Sequence, residues 1–199
     1  MAKVVKFPGI TPEKFGLQRV RKKKKSDLEK HGQLNLFSGG KVIRLNRLSH
    51  VEEALAYEDL GDINAAKEAY LKAIELEEET IADAYCNLGI LEFEEGKTTQ
   101  AIDHFTLCLK HEPRHFEAHY NLANIYAEVG NLKLAKVHYQ VSIEIEPTFS
   151  NCYYNLGLTL ALNKEFREAI DMLNQYRRIS PFEDHKYTDE LIAQLMSAL

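Results

Sequence analysis

The 199-residue chain contains no run long or apolar enough to cross a membrane. Its first residues carry Lys3 and Lys6 with no apolar core behind them, so they do not read as a secretory signal. Cysteine is scarce: Cys86, Cys108 and Cys152 are an odd set with no C-x-x-C pair, which excludes a disulfide framework. They read as small buried apolar side chains in a reducing compartment, and the cytoplasm is the expected location. There is no phosphate-binding loop, no G-x-S-x-G and no paired-carboxylate site outside solvated helix faces, so neither catalysis nor a cofactor is expected. His111, His115 and His119 are spaced by four, but Pro113 separates the first two and His119 falls in a packing slot. Two ligands do not make a structural zinc site, and no metal is expected.

Charge of one sign is the minority in each part of the chain in turn. Residues 1–48 carry thirteen Lys/Arg against three Asp/Glu, while residues 49–199 carry twelve against twenty-seven. A basic arm on an acidic body meets a polyanion, folds back on its own body, or serves as a solubilising tail. The candidate polyanion contacts are Arg19, Arg21, Lys22, Lys23, Lys24 and Lys25. An ammonium is a point charge without a fixed fork, so nucleic-acid contact through this block would be weak, non-specific backbone binding sensitive to salt.

What is present is repetition. Asn87-Leu88, Asn121-Leu122 and Asn155-Leu156 recur at an interval of 34 residues, as do Ala101, Ala135 and Ala169 and also Pro113, Pro147 and Pro181. Gly96 and Gly130 align, with Lys164 in the third slot, and Phe105, Tyr139 and Leu173 align. A weaker copy precedes these, with Ala54, Tyr57, Gly61, Ala66, Tyr70 and Ala73 in the same slots and one extra residue at the junction. A fixed period of this length marks a stacked repeat protein. Each copy reads as two helices, with a glycine closing the first and a proline beyond the second. Within the second helix Ala101, Ile102, Phe105, Cys108 and Leu109 share one face. Ala101, Ala135 and Ala169 face the partner helix at its closest approach, as Gly89, Ala123 and Gly157 do from the first helix.

This pattern resembles the tetratricopeptide repeat. The resemblance implies an all-α fold: a right-handed superhelical solenoid of antiparallel helix pairs. The expected organisation is a basic N-terminal arm over 1–46, flexible or with a short β-hairpin, then four repeats over 47–183 (47–80, 82–115, 116–149 and 150–183). A capping helix over 184–199 follows, starting near Thr188-Asp189 with Leu191, Ile192, Leu195, Met196 and Leu199 on its apolar face. Departures from the family pattern are Glu53, Glu78, Glu92 and Lys164.

The resemblance also implies that the first helix of each pair lines a concave groove that takes a peptide or protein partner. Asn87, Asn121 and Asn155 occupy one slot per repeat and resemble the asparagine ladder of some peptide-binding arrays. An amide both donates and accepts, so it can pair with a peptide backbone of any sequence. Asparagine that is merely common at this slot is the competing reading. Tyr120, Tyr154 and Asn124 complete the expected groove, with an acidic row at Asp59, Glu94 and Glu128. The basic residues with which family members hold a chaperone's C-terminal carboxylate are lacking. A basic peptide suits the acidic row, and the chain's own Arg19–Lys25 block is one candidate occupant.

A second resemblance lies in the arm. Gln33, Leu34, Leu36 and Phe37, in the run Gln-Leu-Asn-Leu-Phe, are similar to the bacterial sliding-clamp-binding motif. It implies a DNA-maintenance accessory protein recruited to the clamp, Leu36 and Phe37 being the apolar anchors. The same stretch, followed by Ser38-Gly39-Gly40 and Val42–Leu45, also reads as a small β-hairpin.

Overall fold

The structure is a computed structural model and describes residues 17–20, 49–181 and 185–199. The clamp-like run Gln33–Phe37, the hairpin expectation, and Arg21 and Lys22–Lys25 lie outside the described residues. Among the described residues there are nine α-helices and no strand: α1 (His50–Asp59), α2 (Ile63–Glu75), α3 (Ile81–Glu94), α4 (Thr98–His111), α5 (Phe116–Glu128), α6 (Leu132–Ile145), α7 (Ser150–Leu162), α8 (Phe166–Ile179) and α9 (His185–Met196).

Local sequence starts and stops these helices. Ser49 and Glu52 form a reciprocal capping box at α1, with the Glu52 amide donating to Ser49 Oγ at 3.2 Å and the Ser49 amide to Glu52 Oε2 at 2.9 Å. Asp62 and Asn131 accept the Ala65 and Leu134 amides at α2 and α6. The first helix of each pair ends in a left-handed residue: Gly61, Gly96 and Gly130 at φ of 78°, 78° and 81°, and Lys164 at 64°. Lys164 thus takes the conformation the three glycines take, although its Cβ makes that conformation unfavourable.

The pairs α1–α2, α3–α4, α5–α6 and α7–α8 pack internally, and α2–α3, α4–α5, α6–α7 and α8–α9 join them in series. First helices also touch across repeats, α3 with α5 and α5 with α7, so they form the tightly spaced inner side of an all-α solenoid. The pairs close because small residues admit large ones. A Cβ on Gly89 would meet the Phe105 ring at 3.0 Å, and one on Gly157 would meet Leu173 Cγ at 2.8 Å. Ala101, Ala135 and Ala169 are fully buried.

The terminal helix runs His185–Met196 within the expected 184–199, and Thr188, the expected start, is fully buried inside it. Leu191, Ile192 and Leu195 cover the last pair, whereas Met196 and Leu199 are exposed. The helix ends at Met196, and no further helix follows among the described residues to cover them. Arg177 Nε donates to Asp189 Oδ1 at 2.8 Å, tying α8 to α9.

Two stability tests follow from these contacts. Lys164→Gly relieves a strained left-handed residue and should raise unfolding free energy by about 1 kcal/mol in denaturant titration. His119 Nδ1 and His138 Nδ1 lie 3.0 Å apart between α5 and α6. Burial, with His119 adding to it, pushes the His138 imidazole down to about 4. Its folded value lies below its unfolded one, so this contribution is present above the unfolded value of about 6.5 and is lost as pH falls towards 4. The thermal unfolding temperature should therefore fall as pH drops across that window, and His138→Gln should flatten the dependence.

Candidate peptide groove

The inner side of the stack is built from α3, α5 and α7, and each contributes one asparagine from the same helical slot. All three are buried. Two of them hold residues 17–20 of the same chain. Asn121 Oδ1 accepts the Gln18 amide at 2.6 Å, and Asn121 Nδ2 donates to the Gln18 carbonyl at 2.9 Å. One repeat earlier, Asn87 Oδ1 accepts the Val20 amide at 3.0 Å and Asn87 Nδ2 donates to the Val20 carbonyl at 3.2 Å. A residue presents its N–H and C=O to one edge only when extended, and residues two apart then share that edge. The segment therefore crosses the groove as a strand, with side-chain amides in place of a neighbouring strand. It advances two residues per repeat, running from α5 towards α3.

Its side chains are read as well. Val20 is buried in a cluster with Ala82, Cys86, Ile90 and Leu122, and Leu17 packs against the same cluster. Burying a valine side chain contributes about 1.5–3 kcal/mol. Arg19, between the two paired residues, donates through Nη2 to both oxygens of Glu94 at 2.8 Å, and its Nη1 pairs with Glu58. Glu58 also accepts the Tyr70 hydroxyl at 2.5 Å, which fixes one end of the carboxylate.

The third asparagine is engaged differently. Asn155 Nδ2 donates to Tyr120 Oη and Asn124 Oδ1, both at 3.0 Å, and Tyr139 Oη donates to Asn124 Oδ1 at 2.5 Å. Burial pushes the Tyr120 phenol well up, so it stays a neutral donor and acceptor. Asn155 Oδ1 is buried and has no hydrogen-bond partner among the described residues. An unpaired buried acceptor of this kind costs about 1–3 kcal/mol.

Of the expected groove residues, Asn87, Asn121 and Glu94 contact the segment directly, while Tyr120, Asn124 and Asn155 form one polar cluster deeper in the array. Tyr154 is packed tilted against Tyr176 at 5.1 Å, and Glu128 is exposed without an ion pair among the described residues. Sequence reasoning missed Glu58, which precedes the expected Asp59 by one position. It also missed Leu17 and Gln18, which lie before the basic block; an apolar pair three residues apart in a basic arm was the available signal.

Beneath the segment lies a thiol cluster. Asn121 Nδ2 is 3.7 Å from Cys86 Sγ. Donor atoms of Cys86, Cys108 and His115 lie within 4.8 Å of one another. His115 Nδ1 accepts the Ala118 amide at 3.2 Å as the cap of α5, and Nε2 lies 3.3 Å from Asp83 Oδ1. Both ring nitrogens thus serve the helix junction. His119 turns away towards His138 rather than sharing a face with His115.

Models described as tetratricopeptide repeat match residues 49–80, 92–140 and 138–171. The chain belongs to the tetratricopeptide repeat family. No curated protein sequence matches it. Among solved structures it is similar to a tetratricopeptide repeat protein from Parabacteroides merdae, with 20% identity and a TM-score of 0.65, over 75% of this chain and 58% of that one. It therefore spans little more than half of that relative's length. YrrB, described as a tetratricopeptide repeat protein with an unusual peptide-binding site, aligns with 21% identity and a TM-score of 0.58, covering 71% of each chain. The first repeat domain of Spaghetti (RPAP3), bound to the HSP90 peptide SRMEEVD, aligns with 17% identity and a TM-score of 0.55, over 59% of this chain and 91% of that one. At these identities the likeness concerns the fold. No helix among the described residues is long and apolar enough to cross a membrane.

The tetratricopeptide groove carries its own test. The amides of Gln18 and Val20 should be protected in hydrogen exchange and that of Arg19 should not, since it faces the opposite edge. Asn121→Ala should raise exchange at Gln18 at least tenfold, and Asn87→Ala should do the same at Val20. Uniform exchange across the three amides would contradict the strand geometry.

Proposed function

We propose that this protein is a non-enzymatic interaction scaffold whose repeats hold an extended peptide or protein segment along α3, α5 and α7. The observation that carries this reading is the two-point grip of Asn87 and Asn121 on the backbones of Val20 and Gln18. A side-chain amide that satisfies both backbone groups of one residue accepts almost any side chain there, so the grip itself is indifferent to sequence. It is a side-chain version of strand addition, in which main-chain hydrogen bonds supply affinity and pockets supply selectivity.

The chemistry available on this face suits binding and little else. Of its titratable groups, Glu58 and Glu94 are held by Arg19 and the Tyr120 phenol is kept neutral by burial. Asn87, Asn121, Asn155, Tyr120, Asn124, Tyr154, Glu94 and Glu128 are the proposed groove residues, and the partner is a protein or peptide with basic character.

Affinity capture from the native cell provides the test. The intact protein and an Asn87→Ala/Asn121→Ala/Asn155→Ala variant should return different partners, the groove-dependent ones disappearing from the variant. Identical partner sets, with circular dichroism showing both proteins equally helical, would remove the groove from the function.

A further inference from the structure

Resting on that groove reading, we infer that residues 17–20 are a built-in competitor, and that the partner is a segment of another protein carrying an arginine followed by an aliphatic residue. The groove selects at two places beyond the backbone grip. Glu58 and Glu94 approach the Arg19 guanidinium from the first and second repeats, and no single carboxylate of the array could supply both contacts. A planar guanidinium presents several donors in a fixed fork, whereas a lysine ammonium offers one compact charge. The next residue enters the buried cluster of Ala82, Cys86, Ile90 and Leu122, which takes an aliphatic side chain and leaves no described polar partner for a charged one. The pattern read from the groove is therefore apolar–any–arginine–aliphatic, as in Leu17-Gln18-Arg19-Val20.

Direction and register follow from the same contacts. The second residue of the pattern sits on Asn121 and the fourth on Asn87. Two residues per repeat then bring the residue two before the Gln18 place to Asn155. There a buried carbonyl oxygen is without a donor among the described residues. A ligand that supplies a backbone N–H at that rung would engage Asn155 as well as Asn121 and Asn87. A partner displaces the tethered segment once its own concentration and affinity exceed the finite local concentration that tethering provides.

The test uses the full chain and a capped, fluorescently labelled peptide of residues 14–22. Binding is compared between the wild-type chain and an Arg19→Glu/Val20→Asp chain, in which the internal segment is repelled from the acidic pair and the apolar cluster. The peptide should bind the substituted chain at least tenfold more tightly. An Arg19→Glu peptide should bind that chain at least tenfold more weakly, and adding Glu94→Arg to the chain should restore binding of that charge-reversed peptide. Equal affinity for the two chains would overturn the competitor, and equal affinity for the two peptides would overturn the arginine selection. In either case Asn87/Asn121-dependent binding would leave the groove reading standing. No asparagine-dependent binding of any peptide to the substituted chain would overturn both. Wild-type chains that self-associate, with loss of association on Arg19→Glu/Val20→Asp, would assign the place to a second copy and overturn the trans partner.

Discussion

The array depends on the fit between a residue with little or no side chain on one helix and a bulky residue on its partner. Gly89 faces Phe105 and Gly157 faces Leu173 at distances that leave no room for a methyl group. Ala101, Ala135 and Ala169 do the same work from the second helix of each pair, where they are fully buried. At such a contact an added carbon must push aside the Phe105 ring or the Leu173 side chain, although the third repeat accommodates Ala123 in the same slot. Each pair is thereby held at a set separation and rotation. Because the same fit recurs every 34 residues from Ala101 to Ala169, adjacent pairs repeat that rotation. A slot on one first helix then maps onto the same slot of the next.

That mapping is what lets Asn87 and Asn121 hold Val20 and Gln18 together. One asparagine in a helix is a local feature, but asparagines at matched slots of α3 and α5 are placed to meet residues two apart on an extended segment. The rungs themselves are buried, so their hydrogen bonds form away from competing water. A missing partner would leave donors and acceptors unsatisfied. The acidic pair works by different physics. Glu94 is half exposed and its contact with Arg19 is screened by solvent, so the contact adds little strength. For residues 17–20 the asparagines and the apolar cluster hold the backbone and Val20, whereas Glu58 and Glu94 meet the one charged side chain, Arg19.

Much of the fold was legible because it is repetitive. Turn glycines, packing alanines and apolar faces each appear several times in register, and Lys164 could be assigned to a glycine slot before its left-handed φ was seen. The site was legible in part, for a related reason. The asparagines recur and were visible as a row, whereas Glu58 occurs in one repeat and sits beside the acidic slot rather than in it. The basic block drew attention to charge, yet it is the backbone of Gln18 and Val20 that the asparagines hold, and backbone groups have no signature in sequence. At the terminal helix Met196 and Leu199 continue the apolar periodicity but are exposed, because periodicity marks a helix face and not what covers it.

The places where the repeats stop resembling one another are therefore the informative ones. At the slot that holds Cys86 in the second repeat, the third and fourth hold Tyr120 and Tyr154, which changes the inner wall from a small apolar floor to an aromatic one. Val20 fits over the small floor, and the aromatic wall supports the Asn155 cluster instead. A residue that varies between copies is released from the stacking requirement that all copies share. Its identity then answers to something outside the stack. In residues 17–20 the second-repeat floor at Cys86 takes Val20 and the acidic pair at Glu58 and Glu94 takes Arg19, while Asn87 and Asn121 hold only the extended backbone.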